Sequence, residues 1–263
     1  MNLYTTFSYF LIYSILGWCA EMIYCAICQR KIVDRGFLYG PYCPIYGFGS
    51  LIVIHLLYSY SYNPFIIFFT SMFFTTLLEY ITSFILEKLF NAKWWDYSEH
   101  KFNINGRVCL LNSVEFALLS LLLIYILHPN IEQLIYKIPI DILQKLTIVS
   151  FFILTIDFVF TLNSILNFKE KLNTIKQLAD SIKLPHNDSK KYNIEISKQL
   201  EEMRVNLIQR TSKLYKRLIN AFPDLEFNKF KDQLFEIKLE LNRKRHNKKN
   251  ERIDEITCDK KDS

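Results

Sequence analysis

Five apolar stretches dominate the first two thirds of this chain, near residues 4–28, 44–60, 65–87, 107–128 and 143–166. Each approaches the roughly 20 residues that a helix needs to cross the hydrocarbon of a bilayer. The second is the shortest, and its start falls inside an irregular run. The expected fold class is therefore all-α, an integral membrane bundle of about five transmembrane helices.

Composition divides the chain in the same place. The whole of it has 263 residues, 51% of them hydrophobic, and a formal net charge of +6. Residues 1–166 carry 9 Lys/Arg and 10 Asp/Glu, while residues 167–263 carry 23 and 16 and no glycine. Two regions of unlike solvent preference follow: a transmembrane domain over 1–166 and a basic helical tail over 167–263.

Loop charge gives a direction. Arg30, Lys31 and Arg35 follow the first stretch, and Lys88, Lys93, Lys101 and Arg107 follow the third. The turn SYSYNP after the second is uncharged, and the tail after the fifth is strongly basic. Positive residues favour the cytoplasmic side, so the N-terminus is expected outside and the tail inside a cell membrane crossed several times.

The run RGFLYGPYCPIYGFG, Arg35 to Gly49, holds four of the six glycines, two prolines and three tyrosines. Backbone this irregular is tolerated at membrane depth only where it is buried in protein or lines a wet cavity. It marks a tight packing point or a site.

Four acids lie within the spans: Glu21, Glu79, Glu115 and Asp157. Counted at about 1.5 Å per residue, they fall some 10–14 Å from the inner ends of their helices, in one layer of the cytoplasmic half. Each left against lipid costs on the order of 3 kcal/mol, so they are expected to face inward. There they line a cavity that binds a cation, a proton or a polar substrate, or they join helices through hydrogen bonds. The layer as a whole favours a site. His55, alone in the second span, reads as a packing residue.

The loop KWWDYSEHKFNINGR, Lys93 to Arg107, lies on the same side. Trp94 and Trp95 suit a membrane interface, while Asp96, Asn103, Asn105, Gly106 and Arg107 gather polar groups just before the fourth span. Arg35 and Arg107 either meet an anionic group or neutralise the acids. The expected substrate-binding set is Glu21, Glu79 and Glu115 facing a cavity, Arg35, Asp96 and Arg107 at its mouth, and Tyr39, Tyr46, Trp95 and Asn105 beside them. No cofactor and no metal site is expected. Cys25 and Cys28 form a CxxC, but no second Cys/His pair stands at a zinc spacing.

Four strings carry a family resemblance: GWCAE (Gly17 to Glu21), DRGFLYGPYCPIYGFG (Asp34 to Gly49), WWDYS (Trp94 to Ser98) and FNINGR (Phe102 to Arg107). From about Tyr13 to His128 the chain resembles the CmpB-type ABC-transporter permease family of bacterial integral membrane proteins. The resemblance implies a membrane transport component and leaves the tail uncovered. The chain has no GxxxxGK[ST], so it does not hydrolyse ATP itself. Transport by an ABC mechanism then requires a separate ATPase subunit. Two other readings stay open: a membrane-embedded enzyme acting on a lipid or amphiphile through a carboxylate base, and a membrane-anchored scaffold or sensor working through the tail.

In the tail, Leu172, Ile175, Leu178, Ala179 and Ile182 recur at helical spacing before Pro185. A second helix is expected over 190–221, and a third from Asp224 to about 246. Stripes of this width suit a helical hairpin or coiled coil that self-associates or docks a partner. The basic end, NRKRHNKKNER, suits anionic membrane lipids better than nucleic acid, since nothing in it resembles a base-reading module.

Overall fold

The computed structural model describes residues 2–29, 33–183, 190–209 and 213–244. Arg30, Lys31, Pro185 and most of the basic run 242–252 lie outside those residues, as does the side chain of Cys28. The chain forms two compact units, Met1–Leu162 with Asn220–Leu225, and Asn163–Ile219 with the chain from Glu226 onward.

The first unit is built from helices that pack in chain order. Helix α1 covers Leu3–Gln29, α2 Pro44–Leu57, α3 Pro64–Phe90, α4 Leu110–Leu122 and α5 His128–Tyr136. Helix α6, Ile140–Lys183, begins in this unit and runs on into the second. Neighbours α1 and α2, α2 and α3, and α3 and α4 make the principal helix contacts.

Local chemistry sets the boundaries. Asn63 caps α3, accepting from the N–H of Phe65 at 3.0 Å and of Ile66 at 3.3 Å. Pro64 then occupies the first turn, where a missing N–H costs nothing. Asn91 ends the helix in the left-handed conformation, φ 51°. Between α4 and α5 the rod widens into a π-turn over Leu123–Leu127. Pro129 follows at once, and its ring cannot coexist with the carbonyl four residues earlier in a regular α-helix. The wide turn absorbs that clash without breaking the rod.

Helices Leu3–Ile27, Pro64–Phe90, Leu110–Tyr136 and Ile140–Ser181 are long and apolar enough to cross a membrane. The fifth expected span is not among them. The apolar helix Pro44–Tyr60 is shorter, about 25 Å at helical rise against roughly 30 Å of hydrocarbon. It starts only at Pro44, and its last residues, Tyr58–Tyr60, tighten into a 3₁₀ turn. The protein is thus an all-α membrane bundle with, among the described residues, four helices of spanning length and one short apolar helix packed among them.

Two glycines let α1 and α2 approach closely. A side-chain carbon at Gly17 would collide with the Tyr46 ring, and one at Gly47 would lie 2.6 Å from the Phe10 carbonyl oxygen. Small residues at a helix crossing are how membrane bundles gain packing, since lipid supplies no hydrophobic drive between helices. One end of the unit closes around Tyr9, Tyr13, Val53, Leu57, Ile67 and Ile124. Here the buried histidine is His128, bonded through Nδ1 to the Tyr13 hydroxyl at 2.8 Å. His55, expected to pack, is exposed.

The second unit is also helical. Helix α6 continues without interruption from the apolar segment to Lys183, 44 residues in all. With it are α7 (Lys190–Gln209), α8 (Lys213–Ala221) and a helix over 231–244. The predicted stripe holds at Leu172, Ile175 and Ala179, all buried, and Phe168 stacks on Tyr215 at 4.7 Å. Arg204 pairs with Glu201 at 3.1 Å and with Glu236. The predicted helix over 190–221 is described as α7 and α8, and residues 210–212 between them lie outside the described set.

Candidate functional site

The irregular run is pinned to α6 by one carboxylate. Asp157, expected in the acid layer, accepts from the N–H of Tyr39 at 2.9 Å, the N–H of Gly40 at 2.7 Å and the Tyr42 hydroxyl. Thr161 adds a fourth donor at 3.2 Å. Asp157 is buried, and its acceptor capacity is taken up by this loop. Tyr39, expected beside the substrate, has its backbone committed there. Burial, and then the bond to Asp157, push the Tyr42 phenol well above its ordinary range, so it remains a donor.

Further along, Cys43 donates its N–H to the Ser14 carbonyl at 2.9 Å, and Tyr46 enters the bundle on the first turns of α2. Its hydroxyl donates to Glu21 Oε1 at 2.6 Å, while Arg35 stands 3.9 Å from Glu21 Oε2. Arg35 therefore neutralises an acid.

The second polar loop folds back onto α3. Glu79 lies eleven residues before the end of that helix, about 16 Å at helical rise. Tyr97 nevertheless reaches it, its hydroxyl donating to Glu79 Oε1 at 3.3 Å. Burial, and then the Glu79 carboxylate, raise the Tyr97 phenol far above its ordinary value, so it too stays protonated. Asn112 of α4 stands beside Glu79. Glu79 is only 5% exposed, and its Oε2 has no hydrogen-bond partner among the described residues.

A tightly bonded frame holds Tyr97 in place. Its N–H donates to the Gly106 carbonyl at 2.8 Å, and Asn103 accepts from the Gly106 N–H at 3.1 Å. Gly106 has φ 67°, and a side-chain carbon there would lie 2.5 Å from Asp96 Oδ1. Asp96 accepts from the Ser98 N–H at 3.0 Å and its hydroxyl at 2.5 Å, and pairs with Lys93 at 2.9 Å. Burial works against the charge, but the bonds from Ser98 and Lys93 outweigh it and hold the Asp96 carboxyl below its ordinary value.

Several expected site residues serve this frame. Trp95 donates its indole N–H to the Arg107 carbonyl at 3.0 Å, and Asn105 donates to the Tyr80 hydroxyl at 2.9 Å. Arg107 pairs with Glu87 at 2.5 Å over the rings of Tyr80 and Phe84. The bond to Glu87 raises its already high pKa further. Trp94 departs from the interfacial expectation: it is 2% exposed and packs among Phe37, Phe90 and Phe222. The apolar clamp is what holds the loop against the bundle.

Beside Glu79 and Tyr46 lies a cavity of about 160 Å³ between α1, α2, α3 and α4. Its walls are largely apolar, with Thr75, Ser50 and Ser120 adding hydroxyls. Leu16 and Ala20 on α1 and Leu119 and Leu122 on α4 line it and are also exposed, so it reaches the outer flank between those helices. Of the ten expected site residues, Glu79 and Tyr46 line this cavity, with Glu21 bonded to Tyr46 at its edge. Arg35 is one step further out. Glu115 is not brought in: it stands on an exposed side of α4 and is absent from the lining. Helix phase decides this, since Phe116, the next residue, is the one that faces the cavity. Tyr97 is the residue beside Glu79 that sequence reasoning passed over, and its signal was its place within WWDYS. Among the described residues no three His, Cys, Asp or Glu side chains gather as a metal site.

No curated protein and no solved structure matches the chain. One family model does, over residues 8–162, covering every residue of the Glu21–Tyr46–Tyr97–Glu79 cluster and the helices around the cavity. The chain accordingly belongs to the family described as "Putative ABC-transporter type IV".

Proposed function

We propose that this protein is the membrane-embedded, permease-like component of a transport system, with its binding site in the cavity beside Glu79. The observation that carries this reading is a buried carboxylate oxygen without a partner, set against a cavity inside an apolar helical bundle. An ionisable group costs several kcal/mol to hold there, which is why such a group marks a functional site. Glu21, Tyr46, Tyr97 and Glu79 form the polar end of the site, and Arg35 balances Glu21. The excess of positive residues in the adjoining loops supports a reading in which this end faces the cytoplasm, with the N-terminus outside and the basic tail inside. Family membership supports transport, and with no nucleotide-binding motif in the chain a separate ATPase subunit supplies the energy.

The test is recovery of the full-length chain from its native membrane in mild detergent, followed by mass spectrometry and an ATPase assay. The expected result is an ATP-hydrolysing subunit in stoichiometric amount, whose stimulated turnover falls at least tenfold with Glu79→Gln while the complex persists. Recovery of the chain without any such subunit refutes the reading.

A further inference from the structure

We infer that the cavity takes an apolar amine, its ammonium group on Glu79 and its apolar body among the leucines, with access from the lipid flank between α1 and α4. The inference rests on the reading of this cavity as a transport site and names the chemistry of its occupant.

Charge selects an amine. Glu79 Oε1 accepts from Tyr97 at 3.3 Å, the Asn112 side chain stands beside the carboxyl as a second donor, and Oε2 has no partner within hydrogen-bond distance among the described residues. Among the described residues the arginines of the adjoining loops are committed elsewhere, Arg35 to Glu21 at 3.9 Å and Arg107 to Glu87 at 2.5 Å. A hydrocarbon in the cavity would leave the buried carboxylate unsatisfied, and an anion would be repelled by it. A cation supplies both a charge and donors, the strongest partner a buried carboxylate can have. Tyr46 also lines the cavity, its hydroxyl held by Glu21 at 2.6 Å.

Size and walls select the rest of the molecule. At about 160 Å³ the cavity is close to one of about 150 Å³ that holds a benzene ring. Leu78, Val53, Leu123 and Phe116 present apolar surface to that ring. Leu16 and Leu119, 38% and 41% exposed at the flank, lead outward to where lipid would lie rather than to water. A molecule using this route must dissolve in the bilayer and still bring a positive group, which is the property of an amphiphilic amine.

The experiment uses the full-length protein in phosphatidylcholine nanodiscs, with empty discs subtracted. The probes are 2-phenylethylamine and its neutral isostere 2-phenylethanol, followed by calorimetry and thermal unfolding. The amine is expected to bind at least tenfold more tightly than the alcohol and to raise the unfolding midpoint. Glu79→Gln should erase the difference between the probes. Should that variant fail to fold, Gly49→Val serves instead. A Cβ at Gly49 meets only Leu78 Cδ2, at 3.6 Å, so the added methyls fill the cavity and should weaken the amine at least tenfold. Equal binding of alcohol and amine, with Gly49→Val displacing both, overturns the amine assignment and leaves the cavity a binding site. Binding of neither probe, or amine binding indifferent to both variants, also overturns it. The transport reading fails separately, by absence of an ATPase partner.

Discussion

Asp157→Ala should be among the most destabilising single changes in the first unit. The substitution deletes the acceptor for two backbone N–H groups, at 2.9 and 2.7 Å, and for the Tyr42 hydroxyl and Thr161. A hydrogen bond to a charged group contributes about 1.5–3 kcal/mol net, and an orphaned buried donor costs about 1–3 kcal/mol. Tyr42 is buried, whereas Tyr39 and Gly40 are half-buried and recover part of their bonding from water. Thr161 sits one turn away on the same helix and can turn to the Asp157 backbone carbonyl. Taking the full cost of an orphaned donor for Tyr42 and half for each backbone group gives about 2–6 kcal/mol in total. At roughly 2–4 °C per kcal/mol for a chain of this size, the unfolding midpoint should fall by about 4–24 °C. The assay is thermal unfolding in detergent, read by dye reaction of the buried Cys43 in a background where the other five cysteines are replaced by serine or alanine, so that the signal follows the loop. Asp157→Asn keeps one acceptor oxygen and should lose about half as much. An unchanged midpoint, or equal loss in both variants, would refute the claim that this carboxylate pins the run.

Three further outcomes are expected. Gly47→Ala should cost about 1–3 kcal/mol by overpacking, because its new carbon lies 2.6 Å from the Phe10 carbonyl. Gly49→Ala, two residues on and with room at 3.6 Å, should stay within about 0.5 kcal/mol, and a denaturation series comparing the two checks both. Tyr97→Phe removes the one hydroxyl that reaches Glu79 and should cost about 1–3 kcal/mol. Tyr80→Phe, in a more exposed network, should cost less, and the reverse order in thermal unfolding would remove Tyr97 from the site. Asp96, held below its ordinary value, contributes stability that is present above a pH of about 4 and is lost as pH falls through its lowered folded value. At 35% exposure the effect is small, and Asp96→Asn should flatten the acid limb of a stability–pH curve without moving the neutral plateau.

The apolar stretches alone determined the fold class, because continuous apolar runs of about 20 residues satisfy their backbone in a bilayer as helices, whereas barrel strands are short and alternate. Loop composition located both polar segments, and residue type singled out Glu21, Tyr46 and Glu79. What one dimension could not carry was helix phase and the return of loops. Glu115 and Phe116 are adjacent in sequence, yet a 100° step turns one outward and the other to the cavity. Tyr97 lies 18 residues beyond Glu79 and meets it only because Trp94, packed among three phenylalanines, clamps the loop back along α3. Asp157 looked like a member of the acid layer until the fold brought Tyr39 and Gly40 to it from more than a hundred residues away. Sequence thus set which groups must be kept from lipid, since that follows from the free energy of each residue alone. Only the tertiary structure decided which of them are paired with one another and which, at Glu79, was left with an oxygen to spare.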